Sequence, residues 1–146
     1  MIQVSEVFQY TGEQIEAHWP SIDEALEADT SLWDSMYSKL ALMEGFQSGF
    51  IQLWGVSSSD AVHALFMTRV FEVPAGKTVQ LFWMFGREVV SQLGNLDTVM
   101  DRFAASAGAT RIEIVGRKGW EKLLKPLGFE FATISVARPV KVLKDS

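Results

Sequence analysis

The chain contains no cysteine, which excludes disulfides, thiolate catalysis and cysteine-based zinc sites. Histidine is almost as scarce: His18 and His63 are the only two, no HxxxH or HxH pair occurs, and no transition-metal site is expected. No apolar run approaches the roughly 20 residues that a membrane helix requires. The opening segment MIQVSEVFQY has neither the basic nor the apolar region of a secretory signal. The expected protein is therefore neither secreted nor transmembrane. No RNP-like, finger or basic-helix motif is present, so nucleic acid is not an expected partner. A P-loop and a Ser-His-Asp arrangement are also missing.

What remains is a globular composition. Of 146 residues, 48% are apolar and 21% charged, which suits one domain over residues 1–146 with a core of its own. The net charge of −5 is unevenly spread. Residues 1–60 carry ten acidic side chains against Lys39 alone, and residues 61–146 carry twelve basic against eight acidic. Such a half reads either as a solvated acidic helical face or as a surface suited to a basic partner.

Periodicity divides the chain into elements. Ile2, Val4 and Phe8 alternate as a short strand. GEQIEAHWPSIDEALEADTS is helical with a break at Pro20, after which Ser21 and Glu24 stand in capping-box register. A helix follows over SLWDSMYSKLALMEG, with Leu32, Trp33, Met36, Leu40 and Met43 on one face and Gly45 as its stop. FIQLWGV, AVHALFMTRVFEV and KTVQLFWMF form a meander, apolar on both faces as in a sheet covered by helices. A helix over about 89–107, the strand RIEIV, a helical turn over Lys118–Leu127 halted by Pro126, and a last strand or hairpin in FEFATISVARPVKV complete the order.

That order resembles the GNAT acetyltransferase superfamily, over nearly the whole chain. FAASAGATRIEIV is similar to the family's A-x-x-x-G-x-x-x-I-x-L-x-V, with Ala104, Gly108, Ile112 and Val115 in place. GWEKLLKPLGFEF resembles its closing L-Y-x-x-L-G-F. The resemblance implies a single α+β or α/β domain. Its central mixed sheet of six or seven strands has helices on both faces, and TVQLFWMF and RIEIV are adjacent parallel strands that part at their C-terminal ends.

Two family positions depart from the pattern. Counting back from Gly108, the pyrophosphate loop R/Q-x-x-G-x-G/A falls on Glu88, Ser91 and Leu93, where glycine would let backbone N–H groups approach a phosphate. Gly94 is at most a slipped remnant, and Arg87 the only compensating charge. Leu124 stands where the family often places a tyrosine as general acid, while Tyr10 and Tyr37 lie far upstream. A general base would have to be Glu72, His63 or Glu44, and His63, just after a turn, reads as a surface or satisfied histidine.

These departures, with a looser similarity to small GNAT-like proteins of tailed phages of the internal virion protein A type, imply a catalytically inactive structural or interaction protein. It would use no cofactor, catalytic residue or metal, and it would act in a host cytoplasm or a phage particle. Its partners would be proteins, including further copies of itself. The expected surface is Arg117, Lys118, Trp120, Lys122 and Lys125, a basic edge around an indole. Trp54 is a second candidate for such a surface, whereas Trp33 and Trp83 fit core positions. The alternative is a divergent acetyl-CoA-dependent N-acetyltransferase, with acetyl-CoA as its cofactor.

Overall fold

A computed structural model describes residues 6–28, 38–58, 61–86, 93–115, 122 and 124–130. Strand β1 (Glu6–Gln9) leads to Thr11, which opens helix α1 (Gly12–Ala17) with a capping box. The Gln14 N–H donates to Thr11 Oγ1 at 3.2 Å, and the Thr11 N–H donates to Gln14 Oε1 at 2.8 Å. Helix α2 (Trp19–Ala28) follows after His18. The break thus falls at His18 and not at Pro20. Pro20 sits in the first turn of α2, where a missing N–H has no helical partner to lose, and Ser21 lies inside the helix rather than capping it.

Helix α3 (Lys39–Ser48) is capped by Ser38, whose hydroxyl accepts from the Ala41 N–H at 3.1 Å. It passes the expected stop at Gly45 and ends at Gly49, where φ is 82°. Gly45 has a packing role instead: a Cβ there would lie 2.5 Å from Ile51 Cδ1. The expected apolar face also shifts. Leu40 and Met43 are 65% and 37% exposed, while Leu42 is fully buried, with Phe46 packed beside it. Leu32, Trp33 and Met36 of that face lie outside the described residues. Lys39 forms ion pairs with Asp23 and Glu27 that link α3 to α2, and these hydrogen bonds, Asp23 first, raise its pKa.

The remaining strands are β2 (Ile51–Ser58), β3 (Ala61–Val73), β4 (Gly76–Gly86) and β5 (Arg111–Ile114). They form one sheet in sequence order, antiparallel from β1 to β4, with β5 parallel to β4. The meander and the parallel pair match expectation. The strand count does not: five strands stand among the described residues where six or seven were expected. Of the expected last strand or hairpin in FEFATISVARPVKV, residues 131–142 lie outside the described set.

Helices cover both faces. Ile22, Leu26, Leu42, Leu53, Met67 and Trp83 form the core beneath α1, α2 and α3. Helix α4 (Leu93–Ser106) covers the other face. Its Leu96, Met100 and Ala104 recur every fourth residue and pack on Trp54, Phe66, Val79 and Leu81. Leu124 is buried in this second core, just before a 3₁₀ turn (Lys125–Leu127) containing Pro126. Polar side chains cross the sheet in pairs. Arg69 Nε donates to Gln80 Oε1 at 2.7 Å, and Gln80 Nε2 donates to Glu113 Oε1 at 2.6 Å. On the opposite face Trp54 Nε1 donates to Thr68 Oγ1 at 2.9 Å, and that hydroxyl donates to Gln52 Oε1 at 2.8 Å. No helix among the described residues is long and apolar enough to cross a membrane.

Candidate functional site

Two bulges distort the same end of the sheet. Val56 pairs with Ala64 but Ser57 with Val62, so His63 is an additional residue of β3 against β2. Thr68 pairs with Leu81 but Met67 with Trp83, so Phe82 is an additional residue of β4 against β3. The second bulge reverses the side-chain alternation, placing both Phe82 and Trp83 in the core under α1–α3. Gly86 closes this end with φ at 122°; a Cβ there would run into the His63 carbonyl and lie 2.6 Å from Ala64 Cα. Only glycine permits that approach.

Beside the bulges lies a cavity of about 470 Å³. Phe8 and Tyr10 line it from the end of β1, Gln14 and His18 from α1 and its C-cap, and His63 and Phe85 from the distorted strand ends. The Phe8 and Tyr10 rings meet at 4.9 Å, and Phe85 stacks on Trp83 at 6.0 Å with 3° between planes. Tyr10 is buried, which pushes its hydroxyl pKa up. Neither ring nitrogen of His63 meets a hydrogen-bond partner, and both are shielded from solvent; the same holds for Trp83 Nε1.

The opposite face of β4 carries a second feature. Among the described residues the last β4–β5 pair is Leu81–Ile114, with one more bond from the Val115 N–H to the Leu81 carbonyl at 2.9 Å. Phe82 to Gly86 continue along β3 beyond it. Leu81, Met84, Leu96, Met100, Ile114 and Leu124 line a narrow apolar crevice here, and with about 10 Å³ of room it acts as a floor and not a container. Asp97 borders it, and burial, followed by repulsion from Asp101, raises its pKa.

The structure separates the three candidate bases. Glu44 is exposed on α3. Glu72 is exposed near the far end of β3, about 30 Å along the strand from His63. His63 is half-buried and unpaired, contrary to the expected surface or satisfied residue. Tyr10, set aside for its distance in sequence, reaches the cavity because β1 pairs with β2. Trp54 is buried and bonded to Thr68, so it is core and not a partner surface. Of the proposed basic edge, Lys122 and Lys125 are exposed, while Arg117, Lys118 and Trp120 lie outside the described residues. So do residues 87–92 of the expected phosphate loop; α4 begins at Leu93, with Gly94 in its first turn.

No protein-family model matches the chain, and no curated protein sequence matches it. Solved structures do. The aminoglycoside N-acetyltransferase AAC(6')-Iy in complex with CoA is similar at 14% identity and a TM-score of 0.66, covering 97% of this chain and 98% of its own. A predicted acetyltransferase with acetyl-CoA from Clostridium acetobutylicum is similar at 14% identity and a TM-score of 0.61, covering 93% and 96%. A transcriptional regulator from Bacillus halodurans C-125 is similar at 11% identity and a TM-score of 0.66, covering 94% and 100%. The chain has a GNAT-like fold. The expectation of an inactive virion component is corrected by these neighbours, which include acetyltransferases in complexes with CoA and acetyl-CoA and which back the alternative reading instead.

Proposed function

We propose that the chain is an acetyl-CoA-dependent acetyltransferase that acts on an amine. The observation that carries this reading is the fold likeness to acetyltransferases solved with CoA and acetyl-CoA, together with the apolar crevice beside the β4–β5 pair. The pantetheine arm of acetyl-CoA would lie against this crevice, with Met84 and Leu124 beneath it. Acetyl-CoA supplies an activated acyl carbon; the protein positions it, excludes water and manages the protons of the accepting nitrogen.

Titration calorimetry with acetyl-CoA tests this directly. A dissociation constant of roughly 10–100 µM, about −7 to −5.5 kcal/mol, is expected. Neither heat nor thermal stabilisation at about 1 mM ligand would sink the proposal, since that concentration lies well above the expected constant.

A further inference from the structure

Strand β1 ends the sheet, with β2 on one side and no strand on the other among the described residues. The Tyr10 N–H donates to the Leu53 carbonyl at 2.9 Å. Bonded and unbonded pairs alternate in an antiparallel ladder, so in this register Glu6 and Phe8 also bond to β2. The N–H and carbonyl groups of Val7 and Gln9 therefore point away from β2, along an open edge. We propose that this edge is a docking site for an extended basic peptide of another protein, which adds to the sheet as an antiparallel strand. The proposal goes beyond acetyl transfer and does not depend on it.

The edge is held ready for a strand. Val7 packs against the core beneath α4 and Phe8 against the core beneath α1–α3, so β1 is anchored on both faces. Its ladder with β2 runs unbroken through all four residues. Natural edges are commonly blocked by proline, lysine or a bulge, and β1 has none of these. Its shortness limits open-ended pairing while leaving the outward groups of Val7 and Gln9 for a peptide.

Charge selects the occupant. Glu6 is exposed on β1, and Glu13 and Glu16 are exposed on α1, which begins three residues after the strand. Lys39, the single cation of the first sixty residues, is engaged by Asp23 and Glu27. A second copy of β1 would bring the same carboxylates to the same edge and is repelled, whereas lysine or arginine is drawn to it. Register then fixes where the charge must sit. On the open side Glu6 and Phe8 occupy unbonded positions, where facing side chains come closest. Phe8 is half-buried, and as alternate residues the two share a face. The fitting peptide carries an apolar residue opposite Phe8 and, two places later, a lysine or arginine opposite Glu6.

The test titrates the protein with short threonine-rich peptides and follows its amide resonances. The first peptide carries valine and, two places later, lysine; the second has glutamate for that lysine. The third is the lysine peptide N-methylated on the residues either side of its valine, which face Gln9 and Val7. The lysine peptide should shift the Val7 and Gln9 amides most, and saturably; the other two should bind at least about tenfold more weakly. Gln9→Pro removes an outward N–H that the β2 ladder does not use, and edge strands tolerate proline there. The fold should persist while binding falls about tenfold or more. Glu6→Lys should reverse the preference between the lysine and glutamate peptides. No binding at about 1 mM lysine peptide, shifts centred away from β1, or equal binding of the methylated peptide overturns the proposal. So does an unchanged preference in Glu6→Lys, or unchanged binding by folded Gln9→Pro. Self-association in sedimentation that Gln9→Pro abolishes gives the edge to a second copy and overturns it too. Should Gln9→Pro fail to fold, the methylated peptide decides on the unaltered protein.

Discussion

The two halves of β4 obey different rules. From Thr78 to Leu81 the strand has a neighbour on each side, and Gln80 is tied to both through Arg69 on β3 and Glu113 on β5. From Phe82 to Gly86 it runs past the last β5 pair among the described residues, carries a bulge, and has His63 and Trp83 close by with unpaired nitrogens. One half ties its polar side chains across the sheet; the other holds two rings whose nitrogens have no partner. Under the proposed function the first would be the rigid scaffold and the second the wall of the site.

The largest test of that contrast is Gly86→Val. The positive φ and the collision with His63 and Ala64 should cost about 3 to 5 kcal/mol in urea unfolding. A loss below about 1 kcal/mol would mean that the bulged end yields easily and is not held in one geometry. Next comes a matched pair. Trp54 and Trp83 are both 5% exposed, but only Trp54 has a bonded indole N–H. Trp54→Phe should cost about 2 kcal/mol, and Trp83→Phe at least about 1 kcal/mol less, because it removes an unsatisfied donor. Equal costs would mean that the unbonded indole at the bulged end of β4 carries no penalty.

The smallest effect is at Asp97, beside the β4 crevice. Its pKa is raised in the fold by burial and then by Asp101, so the folded state holds its proton more tightly than the unfolded one. That contribution is favourable in acid and is lost as pH rises through the folded pKa. Asp97→Asn should therefore stabilise the protein slightly at pH 7, with the gain fading as pH falls through the raised folded pKa and gone below the ordinary carboxylate value of about 3.9. A gain that grows in acid would contradict this sign.

Much of the scaffold was legible in the sequence. The turn residues Pro74-Ala75-Gly76 and the apolar runs on either side mark β3 and β4 to within a residue or two, and Gly108 marks the end of α4. The site was less legible. The run LFWMF has no alternation to break, so the bulge at Phe82 leaves no trace in the periodicity. Tyr10 and His63 meet only because β1 reaches across more than forty residues to pair with β2, a long-range event without a local motif. Whether an imidazole finds a partner is likewise a property of the packed interior. The error at α3 has the same root: both faces of KLALMEGFQS carry apolar residues, and close approach of Gly45 to Ile51 chooses between them.

The order β1-β2-β3-β4-β5 also has a consequence for how the chain acquires its shape. Short connections join β2, β3 and β4, so their ladders close small loops and can nucleate early, whereas β1 must wait for a large loop to close. Substitutions along the β3–β4 hairpin should slow folding, and those in β1 should chiefly speed unfolding. The cavity wall contributed by Phe8 and Tyr10 would then be the last to arrive and the first to leave. A brief excursion that frees β1 alone would open the cavity without melting the meander, and amide exchange at Val7 and Phe8 should run faster than at Phe66 and Met67.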